Sequence, residues 1–135
     1  MYTEMFQTIQ DTLMKRINPV FIIVFGSYAK NNTHKDSDID VAFYSEDQNL
    51  TTYEVFQLAQ ELADILKIEV DLVNIRTAST VFQAQIYTTG TIIYSANDTL
   101  LKNLQMTALS MYAKLNEERQ GIIKNIDESG TIYEK

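Results

Sequence analysis

Apolar positions along this chain change period several times, and each change marks a structural element. Between Thr3 and Ile17, Phe6, Ile9, Leu13 and Ile17 recur at three and four, the stripe of an amphipathic helix that Asn18-Pro19 must end. Val20-Phe21-Ile22-Ile23-Val24-Phe25 is then unbroken apolar, β-branched and aromatic sequence, which predicts a strand buried on both faces. Alternation follows in Asp38-Ile39-Asp40-Val41-Ala42-Phe43-Tyr44 and again in Ile68-Glu69-Val70-Asp71-Leu72-Val73-Asn74-Ile75, two half-polar strands. Residues 51–67 return to helical spacing, with Thr51 or Thr52 as cap and Phe56, Ala59, Leu62, Ala63 and Leu66 expected inward. A third helix is predicted over 78–88, stopped by Gly90, and Thr91 to Ser95 form a short last strand.

From Asn97 onward the pattern is helical for nearly thirty residues, about 40 Å at 1.5 Å per residue, longer than a domain of this size is wide. Part of that helix is therefore expected to project or to break, with Gly121 the natural interruption. Leu101, Leu104, Ala108, Met111, Leu115 and Ile122 recur at three and four, the seam of a helix that covers its own sheet or docks on a partner. Strands and helices in this order predict an α/β (α+β) architecture, a mixed twisted sheet flanked by helices, with a long C-terminal helix. The expected unit is one domain over residues 1–126, with 127–135 a frayed tail.

The chemistry lies where strands end. The first strand delivers Gly26 to the rim of the sheet, where glycine permits a tight turn and a close backbone approach to a ligand. Ser27-Tyr28-Ala29-Lys30 can continue as one helical turn whose free N–H groups suit phosphate oxygens. Beyond a ten-residue spacer after Ser27, Asp38 and Asp40 are expected to project from one strand face while Ile39, Val41 and Phe43 take the other. Two carboxylates roughly 5 to 7 Å apart repel by about 2 to 3 kcal/mol at an effective dielectric near 20, a cost that a divalent cation removes. Asp71, in a neighbouring strand pattern, can complete the cluster, and an oxygen-only set of this kind suits Mg2+ or Mn2+ with nucleotide phosphates filling the remaining positions.

Gly26-Ser27, a ten-residue spacer, Asp38-x-Asp40 and a later strand-borne Asp71 resemble the polymerase-β-like nucleotidyltransferase superfamily, and the brevity of the chain resembles its minimal nucleotidyltransferase (MNT) members. Ala29-Lys30 and Ser37-Asp38-Ile39-Asp40 fit the flanks of the family motif, and the likeness runs from about Val20 to Ser95. The chain departs from the family at Asn31, where glycine is usual, and in lacking arginine near Tyr28 and Lys30.

The resemblance implies a nucleotidyltransferase fold and an antitoxin that transfers AMP from Mg-ATP to a tyrosine of a HEPN-domain ribonuclease toxin. It implies that Gly26, Ser27 and Lys30 hold the nucleotide, and that Asp38, Asp40 and Asp71 are the catalytic and metal-binding groups, around two Mg2+ ions or Mn2+. Two alternatives stand beside it. A non-catalytic antitoxin could neutralise the toxin by binding alone. A small-molecule nucleotidyltransferase shares the motif but usually carries an extra helical domain for which 135 residues leave no room.

Bulk properties narrow the setting. A net charge of −7 and scattered basic residues disfavour a nucleic-acid backbone as partner and suit a basic protein. The absence of cysteine excludes disulfides and cysteine-bound zinc. The start of the chain lacks a signal-peptide pattern and no apolar run approaches the roughly 20 residues of a membrane span, so a cytoplasmic location is expected. His34 and Lys35 sit in the polar loop between the two motif halves, and Arg76 follows the Asp71 strand; none is assigned a role.

Overall fold

The protein is described here from a computed structural model, which describes residues 3–28 and 38–129. Among the described residues four α-helices, α1 (Thr3–Arg16), α2 (Thr52–Leu66), α3 (Thr80–Thr89) and α4 (Asp98–Ser129), accompany four strands, β1 (Phe21–Phe25), β2 (Ile39–Tyr44), β3 (Val70–Asn74) and β4 (Thr91–Ser95). Among the described residues the strands form one sheet in the order β3-β2-β1-β4. β1 runs antiparallel to both β2 and β4, and β2 runs parallel to β3. The expected mixed α/β sheet with flanking helices is therefore the architecture observed. Parallel pairing of β2 with β3 requires a crossover, which α2 provides.

The all-apolar run of β1 has its physical reason in this order. As an inner strand it faces helices on both sides, and all five of its residues are buried. On one face Ile22 and Val24 join Ile39, Val41, Phe43 and Leu72, covered by Ile9 and Leu13 of α1 and by Leu58, Ala59 and Leu62 of α2. On the other, Phe21, Ile23, Phe25 and Ala42 meet Ile86 and Tyr87 of α3 and Leu101 and Ala108 of α4. At roughly 1.5 to 3 kcal/mol per large apolar side chain, these two layers supply most of the stabilisation that offsets chain entropy.

Local signals set the ends of the elements. Asn18 adopts a left-handed backbone (φ 47°) and its N–H donates to the Leu13 carbonyl at 3.0 Å, so α1 stops before Pro19. α2 opens on a capping box: the Thr51 hydroxyl accepts from the Glu54 N–H at 3.1 Å while the Glu54 carboxylate accepts from the Thr51 N–H at 2.9 Å. Gly90 ends α3 for reasons of space, since its φ of −83° is open to any residue but a Cβ would collide with Ile23 and the Ile86 carbonyl.

Two expectations need correction. Phe56 is 57% exposed, and Leu58 takes the inward place beside Ala59 and Leu62. With 3.6 residues per turn, the buried face of α2 is centred on Val55, Ala59, Leu62 and Leu66, which sets Phe56 about 100° away. Gly121 does not interrupt α4, which continues through it to Ser129, about 48 Å of helix. A Cβ at Gly121 would meet nothing within 4 Å, so this part of the helix projects from the domain and glycine there faces no packing demand. The seam on α4 is correspondingly partial: Leu101, Leu104 and Ala108 pack on the sheet, whereas Met111 is 54% exposed. Residues 130–135 of the expected tail lie outside the described residues, as does the side chain of Ile122.

Candidate active site

Gly26 and Asp40 meet across the β1–β2 ladder. Phe25 is the register partner of Asp40, so the turn that follows β1 passes directly over the Asp40 carboxylate. Gly26 has φ +72°, a left-handed backbone that L-residues rarely adopt, and a Cβ there would run into Asp40 Oδ2. Glycine is thus required twice, by its dihedral and by its neighbour. The next residues form a single 3-10 turn over Gly26–Tyr28, with the Tyr28 ring buried among Ile39 and its neighbours. Phe25, at the end of β1, is held by an edge-on contact with Phe82 of α3, ring centroids 5.7 Å apart. This support for the turn was not visible in the sequence, because α3 reaches β1 only through the fold.

Asp40 and Asp71 come from two parallel strands in register, and Asp38 lies one residue before the first of them. Asp40 is paired with Asp71 across β2 and β3, and neighbouring strands lie about 4.8 Å apart, so both side chains leave the sheet together on one face. Asp38, just before β2, is near enough for its charge to act on Asp40. Asp38 and Asp71 are exposed while Asp40 is half-buried beneath the turn. Burial raises the Asp40 pKa from its ordinary 3.8, and the charges of Asp71 and Asp38 raise it further. Among the described residues no three histidine, cysteine or acidic side chains stand close enough together to hold a metal ion as they lie. Electrostatics nonetheless couples all three, as expected for like charges that spread apart at an open rim.

A hard divalent cation fits this donor set, because it is composed of oxygen, carries negative charge in excess, and is open on the side from which phosphate oxygens would complete coordination. The free energy involved makes a prediction. A carboxyl whose pKa is raised on folding contributes stability while protonated, and loses that contribution as pH rises from the ordinary value of 3.8 through the raised one. Asp40→Asn is therefore expected to melt at a higher temperature than the wild type at pH 7 without metal. The gap should close below pH 3.8 and narrow when Mg2+ is added to the wild type. Equal melting curves at pH 7 would count against a strained carboxylate.

Of the other residues expected at the site, Ser27 has its backbone in the 3-10 turn, but its side chain lies outside what is described. Lys30, and with it Asn31, His34 and Lys35, lies outside the described residues. The largest described cleft, about 680 Å3, is elsewhere: Arg16, Glu54 and Glu61 line it, between the end of α1 and α2 on the opposite face of the sheet. The Arg16–Glu61 ion pair at its edge, 2.9 Å long, is exposed and contributes little.

Comparison with known proteins accounts for this arrangement. Residues 7–99 match the family described as Polymerase beta, Nucleotidyltransferase. Over 107 residues the chain is 39% identical to the protein adenylyltransferase MntA of Shewanella oneidensis, covering 78% of this chain and 74% of that protein. The chain belongs to the polymerase beta nucleotidyltransferase family. Among solved structures, this nucleotidyltransferase is similar to one of a toxin-antitoxin with AMP-PNP, with a TM-score of 0.81 and 35% identity, covering 90% of this chain and 97% of that one. It is also similar to a chain in the complex of tri-AMPylated Shewanella oneidensis HEPN toxin with MNT antitoxin. There the TM-score is 0.78 and the identity 33%, over 93% of this chain and 98% of the other. The family that the glycine-serine and aspartate motifs resemble is the one to which the chain belongs, and its fold is the one the sheet adopts.

Proposed function

We propose that this nucleotidyltransferase is an antitoxin that transfers AMP from ATP to a tyrosine of a partner HEPN ribonuclease toxin and thereby inactivates it. One observation carries the proposal: Asp40 and Asp71 share a sheet face beneath a left-handed glycine turn, with Asp38 close enough to act on Asp40. The chain that bears them is similar over most of its length to a protein adenylyltransferase and to the antitoxin in a complex with a tri-AMPylated toxin. The catalytic unit is a single domain over residues 1–126, acting in the cytoplasm. Among the described residues no helix is long and apolar enough to cross a membrane.

In this mechanism the Gly26–Ser27 turn receives the triphosphate, with Gly26 letting the backbone approach closely and Lys30 adding a permanent positive charge. Asp38, Asp40 and Asp71 would hold divalent metal, with Mg2+ the ion of choice and two ions expected, which would supply positive charge against the α-phosphate and the leaving group. Asp71, the exposed carboxylate of β3, stands on the acceptor side and takes the proton of the tyrosine hydroxyl, whose ordinary pKa near 10 otherwise keeps it protonated. The phenol oxygen forms a bond to the α-phosphorus as the bond to the bridging oxygen breaks. Pyrophosphate departs with that electron pair.

A compact domain has little surface with which to orient a second substrate, so the partner protein brings its own tyrosine to the rim. The test is mass spectrometry of the toxin co-expressed with this chain. An increase by one or more AMP units, seen on a tyrosine-containing peptide, is expected. An unmodified but neutralised toxin would instead establish antitoxin action by binding alone.

A further inference from the structure

The far end of the sheet face that carries the aspartates holds a second polar recess. Tyr44 ends β2 and pairs with Phe21, four residues along the ladder from the Asp40–Phe25 pair and therefore about 13 Å away. Ala42, Ile86 and the Phe25–Phe82 contact fill the space between. There Tyr44, Arg76, Gln83, Tyr87 and Thr107 line a cleft of about 210 Å3, walled on one side by Leu104 of α4. We propose that this cleft is a binding site, separate from the catalytic one, for a small oxyanion: a phosphate or a carboxylate group.

The donors point to this ligand class. Tyr87 is only 7% exposed, yet among the described residues its hydroxyl has no protein acceptor, and neither has that of Tyr44. Neither hydroxyl is sealed off, since the one buried side-chain atom without a partner among the described residues is Ser95 Oγ, so both phenols meet the solvent of the cleft and are free to donate to a ligand there. The Phe21 ring fixes both phenols, stacked on Tyr44 at 5.4 Å and tilted against Tyr87 at 6.3 Å, so the two hydroxyls are positioned before any ligand arrives. Arg76 has no carboxylate partner among the described residues, in a chain whose net charge is −7, and no aspartate or glutamate lines the cleft. Gln83 is held in place because its side-chain amide donates to the Ile75 and Ala78 carbonyls at 2.7 and 3.2 Å.

Burial and the neighbouring Tyr44 push the Tyr87 pKa up to about 12, so its hydroxyl remains a donor throughout the neutral range. Donors without protein acceptors, in a recess that Arg76 also lines and no acidic residue does, suit an anion that accepts several hydrogen bonds. Size sets the other limit. At about 30 Å3 per water the recess holds roughly seven waters, enough for a phosphate and part of its shell, and it falls below the roughly 300 Å3 at which pockets for larger ligands begin.

The experiment is an NMR titration of the purified full chain with inorganic phosphate and, in parallel, with acetate, at constant ionic strength and pH 7. Saturable shifts of the Tyr44 and Tyr87 ring signals and of the Arg76 side chain are expected, with half-saturation in the millimolar range or tighter. The stronger of the two anions identifies which group the site is built for. Arg76→Gln and, separately, Tyr87→Phe are each expected to weaken saturation at least tenfold while leaving the melting temperature near that of the wild type. The Asp38→Ala, Asp40→Ala variant should bind as the wild type does. Shifts that stay linear in anion concentration, that survive both cleft substitutions, or that disappear in the aspartate variant would overturn the proposal.

Discussion

Alanine at both Asp38 and Asp40 is expected to abolish transfer of label from α-labelled ATP to the partner toxin while leaving a folded domain. In the proposed mechanism both carboxylates would be oxygen ligands for a metal on the triphosphate, and such stabilisation amounts to several kcal/mol of the transition state. Each 1.36 kcal/mol is tenfold in rate, so a loss of at least about 1,000-fold follows. The fold has no reason to suffer. Asp38 is exposed, and Asp40 is a half-buried carboxylate held near two like charges, so its removal relieves repulsion. The informative result is the combination: transfer lost, circular dichroism unchanged, and a melting temperature equal to or above that of the wild type without metal. Full transfer by the double variant would end the mechanism proposed here, and a collapsed fold would mean that these aspartates are structural.

Gly26→Ala is the second large effect, and it acts through geometry. A non-glycine residue at φ +72° costs on the order of 1–3 kcal/mol, and the new methyl also drives into Asp40 Oδ2. The chain can relieve that collision only by moving the turn or the carboxylate. A displacement of about 1 Å at a catalytic centre costs on the order of 100-fold in rate. The variant is therefore expected to lose about 1–3 kcal/mol of stability and at least about 100-fold of transfer activity. A double-mutant cycle separates the two causes. In an Asp40→Ala background the collision is gone, so Gly26→Ala should cost less there than in the wild type, leaving the dihedral strain alone. An equal cost in both backgrounds would show that the contact with Asp40 carries no energy.

Much of this was legible along the chain because it rests on local rules. An uninterrupted apolar run has to be a strand covered on both sides, and β1 is one, buried along its whole length. Alternation in Asp38 to Tyr44 and in Glu69 to Val73 separated the apolar residues from the aspartates correctly. Ile39, Val41, Phe43 and Leu72 lie in the core under α1 and α2, while Asp40 and Asp71 leave the opposite face. Phe56 shows the limit of such patterns. A helix that is apolar over more than one face offers two possible stripes, and the sheet beneath α2 selected the one through Leu58 and Leu62. Gly121 shows another, because intrinsic helix propensity is a weak preference that a long run of strong helix formers overrides.

What the sequence by itself determined is which residues are candidates for the chemistry: a glycine where a strand ends, and aspartates in and beside two alternating strands. Period and side-chain type are properties of a few consecutive residues, so they survive without knowledge of the rest of the chain. The tertiary structure alone decided that Asp40 and Asp71 stand in register across a parallel pair, that Gly26 closes over Asp40, and that Tyr44, Arg76 and Tyr87 gather at the opposite end. Those relations depend on strand order and on how α2 and α3 return the chain to the sheet. They join residues dozens of positions apart, where no local pattern reaches.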